Sequence, residues 1–276
     1  PGSLAGAVGR VIRLDAEYEQ LLEQATPRPL GQGLDESALA GLFYTGGTTG
    51  QSKGVVLTHR NLIANAYHWL TSASQDSDDV ALVMAPLFHA AGSNGVLASI
   101  WSGGAQVTLG AFDAATALEL IETHRVTLTL GVPTMLSAIA EEQIARPRSV
   151  ASVRVIAHGG SPIATEVVRR TVMAFPGVEM VHVYGATELS PLTTTLRHEE
   201  RWLDYERARS CGQAIMGSDV RILDRAGNEV PRRQVGEVVV RGPHVMRGYW
   251  KKPEQTALVL KDGAYWTGDL VFMDES

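Results

Sequence analysis

The sequence predicts an α/β protein, with largely parallel, helix-covered sheets over residues 1–197 and a small β-rich subdomain of the same large domain over residues 198–276. Three observations carry this prediction. From Leu14 to Val183 short apolar runs alternate with helix-like stretches, the pattern of parallel strands joined through helices. The run Val80–Met84 is apolar at every position, as a strand buried on both faces is. Beyond about Arg197 the alternation stops, and Asp219–Leu223, a turn at Asp224-Arg225-Ala226-Gly227-Asn228 and Glu237–Arg241 read as antiparallel strands.

The elements follow in order. Asp15–Ala25 reads as a helix with Tyr18, Leu21 and Leu22 on one face. Leu42–Thr45 is a short apolar run that ends in a loop rich in Gly and Thr. After Val55–Leu57, Thr58 is placed to cap a helix that sets Leu62, Ile63, Ala66 and Leu70 on one side. Val80–Met84 is followed by a small-residue helix, Gly92–Trp101, and Gly103-Gly104 turns into the strand Gln106–Leu109. Asp113 caps Ala114–His124, and Val126–Leu130 is the next strand. Pro133 heads a helix to about Glu142, at a first-turn position where its missing N–H is no loss. Val153–Ala157, a Gly-Gly loop, a helix over Thr165–Ala174 and a strand over Val178–Val183 complete the series. In the second part Pro253–Leu260 is a short helix, and Asp262-Gly263 turns into the strand Tyr265–Phe272.

Composition narrows the function. Across 276 residues, 24 Lys+Arg stand against 30 Asp+Glu, a formal charge of −6, and the basic residues are scattered, which argues against nucleic acid as the main partner. An apolar share of 45% with 20% charged residues suits a buried core rather than a disordered chain. No uninterrupted apolar run approaches the ~18 residues of a membrane-spanning helix. The single cysteine, Cys211, excludes an internal disulfide framework and a cysteine-rich zinc site. No basic-then-apolar leader is visible, so the cytoplasm is the expected compartment.

The strongest local signal is Thr45-Gly46-Gly47-Thr48-Thr49-Gly50-Gln51-Ser52-Lys53-Gly54-Val55. Its glycines let backbone N–H groups turn inward into an anion nest, its hydroxyls add donors and Lys53 adds a full charge, a combination suited to a polyphosphate. It is not the Walker arrangement, because Ser52 precedes the lysine and Gly54 follows it. As an isolated stretch it would be a surface loop of turn residues.

Further motifs follow in order: Pro86-Leu87-Phe88-His89, His158-Gly159-Gly160-Ser161-Pro162, Tyr184-Gly185-Ala186-Thr187-Glu188, Gly236-Glu237-Val238-Val239-Val240-Arg241-Gly242 and Trp266-Thr267-Gly268-Asp269. From about Leu39 onward, this ordered set resembles the AMP-forming acyl-CoA synthetases, in the adenylate-forming superfamily that also holds luciferases and peptide-synthetase adenylation domains. The resemblance implies activation of a carboxylic acid by ATP to an acyl-adenylate, then transfer to coenzyme A, with Mg2+ as the accompanying ion.

Residue by residue, the resemblance implies that Thr45, Gly46, Gly47, Thr48, Thr49, Gly50 and Lys53 wrap the β- and γ-phosphates. Gly46 stands where many members carry Ser or Thr, so one hydroxyl is lost from that cradle. Glu188 would be the Mg2+ ligand, since a carboxylate near a triphosphate needs a cation between them. Tyr184, followed by Gly185, would stack on adenine, and Thr187 would contact the α-phosphate. Gly160, Ser161 and Pro162 would line the adenine edge and part of the acyl pocket. Asp269 would accept the ribose hydroxyls, and His89 would stand between acyl pocket and nucleotide. Read singly, these residues have plain structural roles: a helix-capping glutamate, a buried tyrosine, a turn aspartate and a core histidine. After His89, Ala90-Ala91-Gly92-Ser93-Asn94-Gly95 offers no carboxylate to pair with a substrate ammonium, which favours a fatty or aromatic acid over an amino acid.

Family members carry a longer stretch before the phosphate loop and a mobile C-terminal domain after the Thr-Gly-Asp motif. The expectation is therefore a central fragment of a synthetase, impaired in adenylation and able to self-associate through surfaces the missing parts would cover. Two other readings stay open. One is a catalytically silent nucleotide-binding module. The other is an α/β-hydrolase, because Ala91-Gly92-Ser93-Asn94-Gly95 nearly matches a Gly-x-Ser-x-Gly nucleophile elbow.

Overall fold

The computed structural model describes residues 12–14, 16–28, 33–46, 52–198 and 210–275. The chain forms two compact units, Pro1–Asp35 and Glu36–Ser276. The first contains helix α1 (Ala16–Gln24), none of whose residues is buried.

The second unit is built on a seven-stranded sheet. Its order is β4 (Ala105–Thr108), β3 (Val80–Val83), β5 (Leu128–Gly131), β6 (Val155–Gly159), β7 (Glu179–Tyr184), β8 (Thr194–His198) and β9 (Gln213–Ala214). The first five strands run parallel; β8 pairs antiparallel with β7, and β9 antiparallel with β8. Because successive side chains on a strand point to opposite faces, each central strand feeds two cores. Leu82, Ile156 and Met180 pack with α4 (Ala114–His124), α5 (Pro133–Ala145) and α6 (Thr165–Ala174), through Leu118, Ile121, Leu136, Ile139 and Val168. Their neighbours Ala81, Val155 and Val181 pack on the other face with Trp69 and Ala73 of α2 (His59–Ala73) and Ala98 of α3 (Ala90–Ser102). Each fully buried aliphatic side chain of this kind contributes about 1.5–3 kcal/mol relative to exposure.

Two smaller antiparallel sheets share a third core. One has the order β1 (Leu39–Thr45), β2 (Lys53–Thr58), β12 (Gly248–Tyr249). The other has the order β10 (Asp219–Leu223), β11 (Gly236–Arg241), β14 (Ala264–Val271), β13 (Leu260–Lys261). Val55, Leu57, Leu189, Ile222, Val240, Met246 and Tyr265 meet between them. Among the described residues no helix is long and apolar enough to cross a membrane.

The expected capping by Thr58 and Asp113 is present: Thr58 Oγ1 accepts from Asn61 N–H at 3.3 Å and Asp113 Oδ1 from Thr116 N–H at 2.8 Å. The inward face of α2 differs from its apolar pattern. Asn61, Asn65, His68, Trp69 and Ser72 are buried beside Ala66, whereas Leu62, Ile63 and Leu70 are only partly buried. The reason is that this helix faces loop backbone as well as side chains. Asn61 Nδ2 donates to the carbonyls of Pro243 and Val245, and Asn65 Nδ2 donates to those of Leu189 and Leu192. Satisfying those buried acceptors outweighs the lost apolar contact.

Candidate nucleotide site

Lys53 opens β2 and pairs in register with Thr45 at the end of β1, so the two flanks of the glycine-rich loop stand side by side. Gly47, Thr48, Thr49 and Gly50, predicted to cradle phosphate, lie outside the described residues; Gly46 is exposed. The Lys53 ammonium sits over the ring of Tyr249, 4.6 Å from its centroid. The Tyr249 hydroxyl donates to Glu188 Oε1 at 2.8 Å. Glu188 is buried in a single 3-10 turn, Thr187–Leu189, which follows β7. Burial, with the adjacent Glu188 charge, holds the Tyr249 phenol well above its ordinary range, so it remains a donor at neutral pH. Tyr265 is raised in the same way and by the same neighbour.

A second pair forms beside the first. Tyr184 ends β7 and its hydroxyl donates to Asp269 Oδ2 at 2.6 Å. Burial and then Asp269 push this phenol up as well. Asp269 itself is exposed, within β14 where its register with β11 shifts; there Thr267 Oγ1 accepts from Asp269 N–H and Glu237 Oε1 accepts from Gly268 N–H. Gly185 is obligatory: a Cβ there would lie 1.8 Å from the Pro191 carbonyl oxygen.

Gly160, Ser161 and Pro162 form an exposed loop directly after β6, and Gly160 has φ +80°, the left-handed region that glycine enters freely. His89 is exposed at the N-cap of α3, makes no capping bond, and has its ring 4.9 Å from Phe88. Ser93, the serine of the hydrolase alternative, lies in the first turn of α3 and donates its hydroxyl to the Leu87 carbonyl at 2.6 Å, not to a histidine.

Thus Lys53 and Glu188 meet through one tyrosine, and Tyr184 meets Asp269, while His89 and Gly160–Pro162 lie on loops at the ends of β3 and β6. Sequence reasoning missed Tyr249. Its signal was the aromatic pair Tyr249-Trp250 after Gly248, too common a pattern to single out without the fold. It also missed a stack of imidazoles, His158, His182 and His198, on adjacent strands β6, β7 and β8. His158 Nε2 and His198 Nε2 are 2.8 Å apart, and burial depresses His158 to about 2 and His198 to about 4.

For a divalent ion the candidate group is the Glu188 carboxylate. Among the described residues no group of three His, Cys, Asp or Glu side chains could hold an ion. A lone carboxylate is the donor set of a magnesium ion held chiefly by phosphate oxygens and water, and the residues fit that kind of ion rather than an all-protein cage.

The AMP-binding enzyme family matches residues 5–250. The chain is 39% identical over 269 residues to a feruloyl-CoA synthase of Amycolatopsis, covering 97% of the chain and 53% of that protein. It is 36% identical to an indoleacetate–CoA ligase of Aromatoleum aromaticum, covering 93% and 50% respectively. Among solved structures, ATP-bound MatB from Rhodopseudomonas palustris superposes with a TM-score of 0.82 at 29% identity, over 94% of the chain and 50% of MatB. The chain spans about half the length of the curated relatives it matches.

Proposed function

We propose that this chain, which belongs to the AMP-binding enzyme family, carries the ATP-binding and acid-activating centre of an AMP-forming acid–CoA ligase. The observation that carries this reading is the joining of Lys53 and Glu188, distant in sequence, through the ring and hydroxyl of Tyr249. A cation and a metal-binding carboxylate held at one place suit a triphosphate accompanied by Mg2+. Thr45, Lys53 and the loop between them would hold the β- and γ-phosphates, and Thr187 the α-phosphate. Tyr184 would present a flat face to adenine, and Asp269 would accept from the ribose. The ion, when bound, neutralises charge on the phosphates.

In the first step a carboxylate oxygen of the acid bonds to the α-phosphorus, and the bond from that phosphorus to the bridging oxygen breaks, releasing pyrophosphate. In the second the sulfur of coenzyme A bonds to the acyl carbon and AMP leaves, the thiol proton passing to solvent. Lys53 meets charge that grows on the departing pyrophosphate, and no covalent bond to the protein is required. His89, exposed at the N-cap of α3, would stand between acyl pocket and nucleotide.

The acid is proposed to be aromatic. No carboxylate follows His89 to meet an amino group, and the relatives carry the names feruloyl-CoA synthase and indoleacetate–CoA ligase. The cytoplasm, where ATP and coenzyme A are at hand, is the compartment this reading requires. Exchange of radiolabelled pyrophosphate into ATP, driven by a panel of aromatic and aliphatic acids, tests it. Exchange strongest with aromatic acids is expected. ATP binding without exchange for any acid would leave a silent nucleotide-binding module and overturn the assignment.

A further inference from the structure

We infer that Tyr249 is a positioning residue of the nucleotide site, whose ring and hydroxyl keep the Lys53 ammonium and the Glu188 carboxylate from neutralising each other and aim each at its own part of ATP·Mg2+. This rests on the nucleotide-site reading above. Lys53 and Glu188 carry opposite charges, and in a partly buried site such groups attract more strongly than in water. A pair closed on itself would have to be broken before either group met a ligand. Tyr249 gives each a different partner. Its face takes the ammonium at 4.6 Å without neutralising it, and its hydroxyl takes Oε1 of Glu188 at 2.8 Å. With Oε1 committed, Oε2 is the oxygen for an ion.

The backbone around Tyr249 is tied to both partners. Tyr249 pairs with Val55 in β2, and Trp250 N–H donates to the Gly54 carbonyl at 2.7 Å, next to Lys53. On the other side Met246 N–H donates to the Glu188 carbonyl at 2.8 Å. Thr256 Oγ1 accepts from Tyr249 N–H at 2.9 Å and so fixes the residue from a third direction. The Tyr249 side chain is buried, so its orientation is set by packing as well as by these bonds. One residue thereby registers the lysine strand against the glutamate turn.

Calorimetric titration of this chain with ATP, once in EDTA and once in excess MgCl2, tests the inference, with thermal melting as the fold control. Tyr249→Phe keeps the ring and removes the hydroxyl. It is expected to bind metal-free ATP like the parent chain but to lose about tenfold of the tightening that Mg2+ confers. Tyr249→Leu removes both contacts and is expected to weaken metal-free ATP as well, by roughly fivefold. In a Glu188→Gln background, where no charge awaits the hydroxyl, Tyr249→Phe is expected to change nothing further. A folded Tyr249→Phe with the parent's Mg2+ response, or an undiminished effect in the Glu188→Gln background, overturns the positioning role. Absence of ATP binding by the parent chain under either condition would instead remove the nucleotide-site reading, and this inference with it.

Discussion

The hydroxyl of Tyr184 donates to Asp269 at 2.6 Å, joining the end of parallel strand β7 to β14 of the four-stranded sheet. The bond orients a phenol that burial keeps protonated, and it leaves one carboxylate oxygen of Asp269 for a ligand hydroxyl. Asp269→Ala is expected to weaken ATP binding by about tenfold, the worth of a hydrogen bond to a charged group. It should also abolish discrimination between ATP and its 2′-deoxy form. Equal loss for both nucleotides, with discrimination retained, would contradict the ribose role.

Gly185 and Gly95 make a matched pair for stability. A Cβ on Gly185 meets the Pro191 carbonyl oxygen at 1.8 Å, so Gly185→Ala forces backbone movement and is expected to destabilise by about 3 kcal/mol. A Cβ on Gly95, inside α3, meets nothing within 4 Å, so Gly95→Ala is expected to stabilise by about 0.5–1 kcal/mol through helix propensity alone. Urea denaturation of the two variants reads both signs.

Asp79 is buried, and Arg154 holds it through Nε to Oδ1 at 2.9 Å while also donating to the carbonyls of Ala73 and Ser74. That guanidinium ties β6 to the end of α2 and the start of β3. Arg154→Met strands a buried carboxylate and two carbonyl acceptors, at a cost of about 2–4 kcal/mol. Little or no change in the denaturation midpoint would show that water replaces the arginine.

Acid sensitivity follows from the buried histidines. His158 is held at about 2, His244 at about 3 and His198 at about 4, chiefly by burial, against an ordinary value near 6.5. Below that ordinary value the unfolded chain binds protons that the folded chain refuses, so stability is full above it and falls as pH drops toward the folded values. Between pH 7 and 5 each such group costs about 2 kcal/mol. His158→Gln is expected to flatten the fall in melting temperature over that interval. A slope unchanged by the substitution would assign the acid sensitivity elsewhere.

Much of the fold was legible because its signals are local. Helices α4 and α6 and strand β10 lie where apolar patterning puts them, with Asp113 fixing the start of α4. Strands β9, β12 and β13 were not legible because each is only two residues long, and β12 forms only by pairing with the distant β2; β8 lacks an apolar run of its own and forms against β7. The polar inward face of α2 was hidden for a related reason, since Asn61 and Asn65 answer carbonyls that arrive from far along the chain. In the site, Lys53, Glu188, Tyr184 and Asp269 sit in motifs with a chemical logic of their own. Tyr249 does not, and its part emerges only where β12 closes on β2.

That closure also sets an order in time. Because β12 is the third strand beside β2, a nascent chain cannot give Lys53 its aromatic neighbour, or Glu188 its phenol, until the segment through Tyr249 has left the ribosome. The junction between the lysine strand and the glutamate turn is therefore completed well after the parallel core, whose strands end at Tyr184, can begin to condense.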